Sequence, residues 1–116
     1  MSLRECYEAM GADYDEMFSR VGNEGLMERF LHMFLEDGSY EALKKELEEK
    51  NAEEAFKAAH TLKGVALNLA LTKLVASASE ITDALRGGNL SAEIFEIMDR
   101  VTIDYERTTN AIKNLS

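Results

Sequence analysis

Proline is absent from the sequence, and cysteine occurs once among its 116 residues. Without proline, no residue removes a backbone hydrogen-bond donor from a helix interior, so long helices can form along the whole chain. The single cysteine, Cys6, can form neither an intrachain disulfide nor a cluster of thiolate metal ligands, which suits a reducing compartment. These absences favour an all-helical protein without covalent cross-links.

Basic residues are also few. The sequence has 13 Lys and Arg residues and 22 Asp and Glu residues, which gives a net charge of −9. Binding to nucleic acid or to an anionic membrane surface requires a basic footprint, so neither partner is expected. No apolar run approaches the ~18 residues of a membrane span. The N-terminus lacks the basic region and apolar stretch of a signal peptide, and we therefore expect a cytoplasmic protein.

Apolar residues recur at the 3.6-residue spacing of helices along most of the chain. Two short helices are predicted at about 3–10 and 14–21; Gly11 and Gly22 would end them, and Asp13 would be the N-cap of the second. Longer helices are predicted at about 23–36 and 39–50, separated by a break or kink at Asp37-Gly38-Ser39, and at about 52–69, 72–86 and 92–113.

Short connections between long amphipathic helices place neighbouring helices antiparallel. The sequence therefore predicts an all-α fold, an antiparallel up-down four-helix bundle over about 23–113. The short N-terminal helices, within about 3–21, would cover one end or one flank of it. The whole chain, 1–116, is predicted to form a single domain.

Some residues have simpler structural interpretations. Asn51 is predicted to end the helix at 39–50, and His32 to lie partly buried at the edge of the core. The two histidines have no cysteine partners and no His-Glu-x-x-His spacing, so no metal site is expected. Methionines such as Met27, Met33 and Met98 fall in apolar stripes and are expected to pack in the core.

The second histidine, His60, lies in the middle of the helix predicted at 52–69. At about 100° per residue, it lies roughly 150° from the centre of that helix's apolar stripe. Its imidazole is therefore predicted to face solvent. The stripe consists of Ala55, Ala59, Leu62, Ala66 and Leu69.

The predicted exposed face around the histidine also carries apolar residues and a glycine. Phe56, Gly64 and Leu67 lie within roughly 60° of it on the helical wheel. A glycine in a helix interior costs about 1 kcal/mol relative to alanine. Because nothing local requires Gly64, we expect a partner to approach the backbone closely there. The N-terminal helices could instead cover Phe56 and Leu67, and this alternative remains open.

Two lysines, Lys57 and Lys63, flank His60 by one turn on either side. An accessible imidazole is largely neutral and nucleophilic at pH 7, and neighbouring ammonium groups can balance developing negative charge. Phosphoryl transfer through a histidine requires this combination, because its catalysis consists mainly of positioning and charge stabilisation.

The stretch Ala59-His60-Thr61-Leu62-Lys63-Gly64, followed by Asn68 and Leu69, resembles the signature of histidine-containing phosphotransfer (HPt) domains. These are four-helix-bundle relay modules of multistep two-component signalling. The resemblance implies that His60 is the phosphoacceptor, Lys63 a phosphoryl-stabilising cation and Gly64 the glycine that leaves room for the partner. The sequence departs from the family pattern at Val65, where a serine is common, and at Ala70, where a glycine often ends the helix.

The resemblance further implies that the partners are receiver domains of response regulators or hybrid kinases, which would supply the Mg²⁺; no resident cofactor is expected. Phe56, Lys57 and Leu67 are the candidate docking residues. The chain shows no glycine-rich phosphate loop and no Ser-His-Asp or Cys-His pattern, so no autonomous kinase activity is expected. Two alternatives remain, an HPt-shaped adaptor that regulates a kinase without phosphotransfer and a fragment of a larger hybrid kinase.

Overall fold

The computed structural model describes residues 1–115, in which α-helix is the only regular secondary structure. The prediction of an all-helical bundle is confirmed. None of these helices is both long and apolar enough to cross a membrane. The helices are α1 (Leu3–Met10), α2 (Tyr14–Val21), α3 (Glu24–Phe34), α4 (Ser39–Glu48), α5 (Ala52–Asn68), α6 (Thr72–Leu85) and α7 (Ala92–Lys113).

The short helices α1 and α2 begin and end where the sequence predicts. Gly11 and Gly22 adopt left-handed conformations, with φ of 67° and 68°, which a glycine takes without steric penalty. The Asp13 side chain accepts a hydrogen bond from the Glu16 amide and so caps the start of α2.

Asn51 ends α4, as predicted, and it is also the N-cap of α5, a second role that the sequence analysis did not identify. Its side chain accepts a hydrogen bond from the Glu54 amide at 3.2 Å. Lys50, with φ of 58°, closes α4 together with Asn51, because the Lys50 amide donates to the Leu47 carbonyl and the Asn51 amide donates to the Glu46 carbonyl. This pair of hydrogen bonds is the Schellman motif. Asn51 therefore takes part in the end of α4 through its amide and in the start of α5 through its side chain.

The same arrangement closes α5. Ala70 adopts φ of 58°, its amide donates to the Leu67 carbonyl, and the Leu71 amide donates to Ala66. The helix therefore ends at the expected place although an alanine replaces the usual glycine, and the left-handed conformation carries a penalty of about 1–2 kcal/mol.

The core lies where α5 packs against α4 and α6, and where α6 packs against α7. The N-terminal helix α1 also packs against α7, and its Cys6 side chain is fully buried. Tyr40 joins α4 to α7, because its ring stacks on Tyr105 at 3.9 Å between centroids and its hydroxyl bonds to Thr102. The α5 side chains in the core are Ala55, Ala59, Leu62 and Ala66.

Two expectations for α3 are wrong. His32 is exposed rather than partly buried, and Met33 is 58% exposed rather than in the core. The buried residues of α3 are Met27, Leu31 and Phe34, so Met33 lies about 200° around the helix from Leu31. The apolar stripe of α3 is wider than the face that the core covers.

Candidate functional site

His60 is exposed in the middle of α5, as its helical spacing predicts. The alanines and Leu62 on the opposite side of the helix are buried against α4 and α6. They hold α5 in place, and the imidazole is therefore presented from a rigid element rather than from a loop.

The Phe56 ring lies beside the imidazole. The two ring centroids are 6.2 Å apart and the planes differ by 14°, within the range of stacked aromatic pairs. Phe56 is half-buried against the core and is less exposed than the sequence predicts. One side of the histidine is thus bounded by an aromatic ring.

Arg86, at the end of α6, is a residue of this site that the sequence analysis missed. Its guanidinium carbon lies 5.4 Å from the centre of the Phe56 ring, on which it forms a cation–π contact. The sequence could have indicated this contact, since Phe56 and Arg86 are nearly the same number of residues away from the short connection at 69–71. Two helices that pack side by side across such a connection bring equidistant residues together.

The two lysines beside His60 have different surroundings. The Lys57 ammonium lies 3.2 Å from a Glu54 carboxylate oxygen and 3.9 Å from one of Glu53, so its charge is largely offset. Lys63 is half-buried and forms no ion pair within residues 1–115. Lys63 is therefore the better placed of the two to meet an added negative charge.

Gly64 has open space where a side chain would begin. No atom lies within 4 Å of a Cβ built on it, leaving aside its own helix backbone. The glycine therefore serves no helix–helix contact within the domain. The space beside it, one turn from His60, is open.

Leu67 is 46% exposed and extends this surface toward the end of α5. Arg20 of α2 donates to the backbone carbonyls of Leu67 and Asn68, at 2.8 and 3.2 Å. The short helix α2 therefore secures the end of α5 without burying the leucine side chain. The alternative that the N-terminal helices cover Leu67 is wrong.

An apolar groove of about 500 Å³ borders the site on the side of α5 that carries Val65 and Asn68. Side chains of α2 and α3 form its other walls, and they include the exposed Met33. The structure thus brings His60, Phe56, Lys63, Gly64 and Leu67 to one face and adds Arg86 to it.

Comparison with known proteins adds one finding. The profile of the Hpt domain matches residues 25–112, which cover nearly all of α3 and continue into the last turn of α7. No curated protein and no solved structure gave a significant match. Because the match covers most of the chain, and because an exposed histidine stands in the middle of the matched bundle, the chain belongs to the Hpt domain family.

Proposed function

We propose that this protein is a phosphorelay intermediate, in which His60 takes a phosphoryl group from the aspartyl phosphate of one receiver domain and passes it to another. Hpt domains take part in two-component phosphorelays and are phosphotransfer modules rather than kinases. The main support for the proposal is that His60 is exposed and that the space at Gly64, one turn away, is open.

In the first step an imidazole nitrogen of His60 attacks the phosphorus of the aspartyl phosphate. A phosphorus–nitrogen bond forms, the bond from phosphorus to the carboxylate oxygen breaks, and the carboxylate leaves with that electron pair. The second step is the reverse reaction with another receiver aspartate as nucleophile. The family resemblance implies that the receiver supplies Mg²⁺, so this chain contributes the nucleophile, its orientation and nearby positive charge.

The proposal also covers the arrangement of the helices, the docking surface and the cellular compartment. We place α4 to α7 in an antiparallel four-helix bundle within a single domain, with α1 and α2 against it. Gly64 and Leu67 would form the centre of the receiver-docking surface, with Phe56 and Lys57 at its edge. The acidic composition and the lone cysteine support a cytoplasmic relay that binds neither nucleic acid nor membrane.

The direct test is incubation with a phosphorylated receiver domain, followed by an acid-lability assay of the labelled protein. A phosphohistidine is acid-labile, so we expect label that acid removes. The adaptor alternative predicts receiver or kinase binding without any label. Stable binding with no labelling, under conditions in which the receiver remains phosphorylated, would favour the adaptor.

Replacing Lys63 with alanine is expected to slow transfer without abolishing it. Its ammonium would offset charge on the phosphoryl oxygens, an effect worth about 1–3 kcal/mol in the transition state. Rapid-quench transfer kinetics at several salt concentrations measure this loss. Lys113→Ala, an exposed lysine at the end of α7, is the matched control. Equal rates for both variants would leave Lys63 without a role in transfer.

Replacing Leu67 with alanine is expected to weaken receiver binding by about 1–2 kcal/mol, the range of a moderately important interface residue. Stability should fall by less than the roughly 2–5 kcal/mol of a truncated core residue, because Leu67 is 46% exposed. Titration calorimetry and thermal melts measure the two quantities. The control is Ile103→Ala on α7, which is 57% exposed, and an equal loss of binding in both variants would contradict this docking surface.

A further inference from the structure

Successive backbone carbonyls at the end of α5 accept hydrogen bonds from α1, α2 and the connection between them. The last carbonyls of a helix have no amide partner further along the same helix, so they need donors from elsewhere. The acceptors and their donors are Leu67 and Asn68 with the Arg20 guanidinium, at 2.8 and 3.2 Å, Leu69 with the Tyr7 hydroxyl, at 3.3 Å, and Ala70 with the Asp13 amide, at 2.9 Å. We call Tyr7, Asp13 and Arg20 the N-terminal clasp.

The connection between α5 and α6, which the clasp contacts, is buried. Residues 69–71 are all buried, and Ala70 has a φ of 58°, which is unfavourable for an alanine. Buried carbonyls have to be paired with donors, and the clasp supplies donors here. Both clasp helices precede residues 25–112, which match the Hpt profile. The clasp therefore comes from outside the matched region and stabilises a conformation that an alanine alone does not favour.

Arg20 connects the clasp to the proposed docking surface. The carbonyl that it binds more closely belongs to Leu67, whose side chain is 46% exposed. Arg20 also lies in the wall of the apolar groove between α2, α3 and α5, beside Val65 and Asn68. A shift of this end of α5 would therefore move Leu67 and change the shape of the groove. His60 lies about two turns earlier in the helix.

Resting on the phosphorelay function above, we propose that Arg20 is a positioning residue, which holds the end of α5 in the orientation that a receiver domain binds. Ala59 and Leu62, close to His60 in α5, are fully buried, so the core fixes the middle of the helix independently of the clasp. Loss of Arg20 therefore weakens receiver binding and leaves the reactivity of the imidazole unchanged.

Arg20 makes one further contact that the test has to separate from the carbonyl bonds. Its guanidinium pairs with Glu16, four residues earlier in α2, at 2.6 Å, and both side chains are exposed. Such a pair contributes mainly to α2 itself. Glu16→Gln removes the ion pair and retains the donor of both carbonyl bonds, so it is the matched control for Arg20→Gln. Arg20→Lys keeps the positive charge but lacks the planar fork of the guanidinium.

The first measurement is amide hydrogen exchange in the unphosphorylated full chain. The amides of residues 69–71 donate to carbonyls in the last turns of α5, so their exchange reports opening of this end. We expect Arg20→Gln to speed their exchange about three- to tenfold, as the loss of hydrogen bonds from a charged donor predicts. The Leu62 amide should keep its rate, and Glu16→Gln should exchange like the wild type. Unchanged exchange at 69–71 in Arg20→Gln would overturn the positioning role.

The second measurement compares receiver binding with phosphorylation by a small donor. Titration calorimetry with an isolated receiver domain should show about three- to tenfold weaker binding by Arg20→Gln, and little change in Glu16→Gln. Phosphoramidate should label His60 in both variants at the wild-type rate, followed by phosphorus NMR. Equal losses of affinity in the two variants, or a parallel loss of labelling in Arg20→Gln, would contradict the proposal.

Arg20→Lys distinguishes positioning from a direct charge contact with the receiver. We expect its affinity to follow its amide exchange, with both between the wild type and Arg20→Gln. Full affinity together with fast exchange at 69–71 would mean that the charge alone matters, and would overturn the proposal. If the wild type binds no receiver while Arg20→Gln still speeds exchange at 69–71, the result counts against the proposed function and leaves the clasp intact.

Discussion

Replacing His60 with glutamine is expected to abolish phosphoryl transfer while the fold remains intact. Glutamine has a similar polar bulk but no nucleophilic ring nitrogen, so no phosphorus–nitrogen bond can form. Because His60 is exposed and its ring lies beside that of Phe56 at 6.2 Å between centroids, the free energy of unfolding should change by no more than about 1 kcal/mol. Transfer from a labelled receiver and a thermal melt test the two halves of this expectation.

His32→Gln is the matched control, because His32 is the other histidine and is also exposed. It should accept phosphate at the wild-type rate. Label on the His60→Gln variant would place the acceptor elsewhere in the chain. A large loss of melting temperature would instead mean that the stack with Phe56 is part of the structural core.

Replacing Gly64 with leucine is expected to block receiver binding in a domain that still folds. A helical residue at this position has open space around its Cβ, so the free domain should tolerate the side chain and gain helix propensity relative to glycine. The receiver would meet a branched side chain where it needs the helix backbone. A steric overlap of this kind costs about 1–3 kcal/mol or more, which is roughly a 5- to 150-fold loss of affinity.

A graded series makes this expectation sharper. Gly64→Ala should raise the stability by up to about 1 kcal/mol and weaken receiver binding less than the leucine variant does. Both variants should therefore melt above the wild type while they bind the receiver more weakly than it does. Normal relay by Gly64→Leu would contradict the close approach of the receiver, and unfolding of that variant would contradict the open space around Gly64.

The periodicity of α5 was sufficient to place His60 correctly. Its buried residues repeat at the helical spacing, so the opposite face could be identified without knowledge of any other helix. The same spacing placed Gly64 and Leu67 on the exposed face. Short capping patterns also predicted α1 and α2, because a cap involves residues only a few positions apart.

Features that involve two helices could not be predicted in this way. The apolar stripe of α3 gave no indication that the core would cover only part of it, so the exposure of Met33 was missed. The second role of Asn51, as the N-cap of α5, was also missed, because asparagine is compatible with either helix end and its side-chain bond to the Glu54 amide is made in addition to its part in closing α4.

The sequence by itself determined the helical class of this protein, the family resemblance and the candidate acceptor, since all three depend on residues close together in the chain. Only the tertiary structure decided what surrounds that acceptor. It left Lys63 without an ion pair among the described residues, offset the charge of Lys57, and brought Arg86 to the ring beside His60. The physical reason is that helix periodicity sets which way a side chain points, whereas its charge environment depends on which distant side chains the packing brings near it.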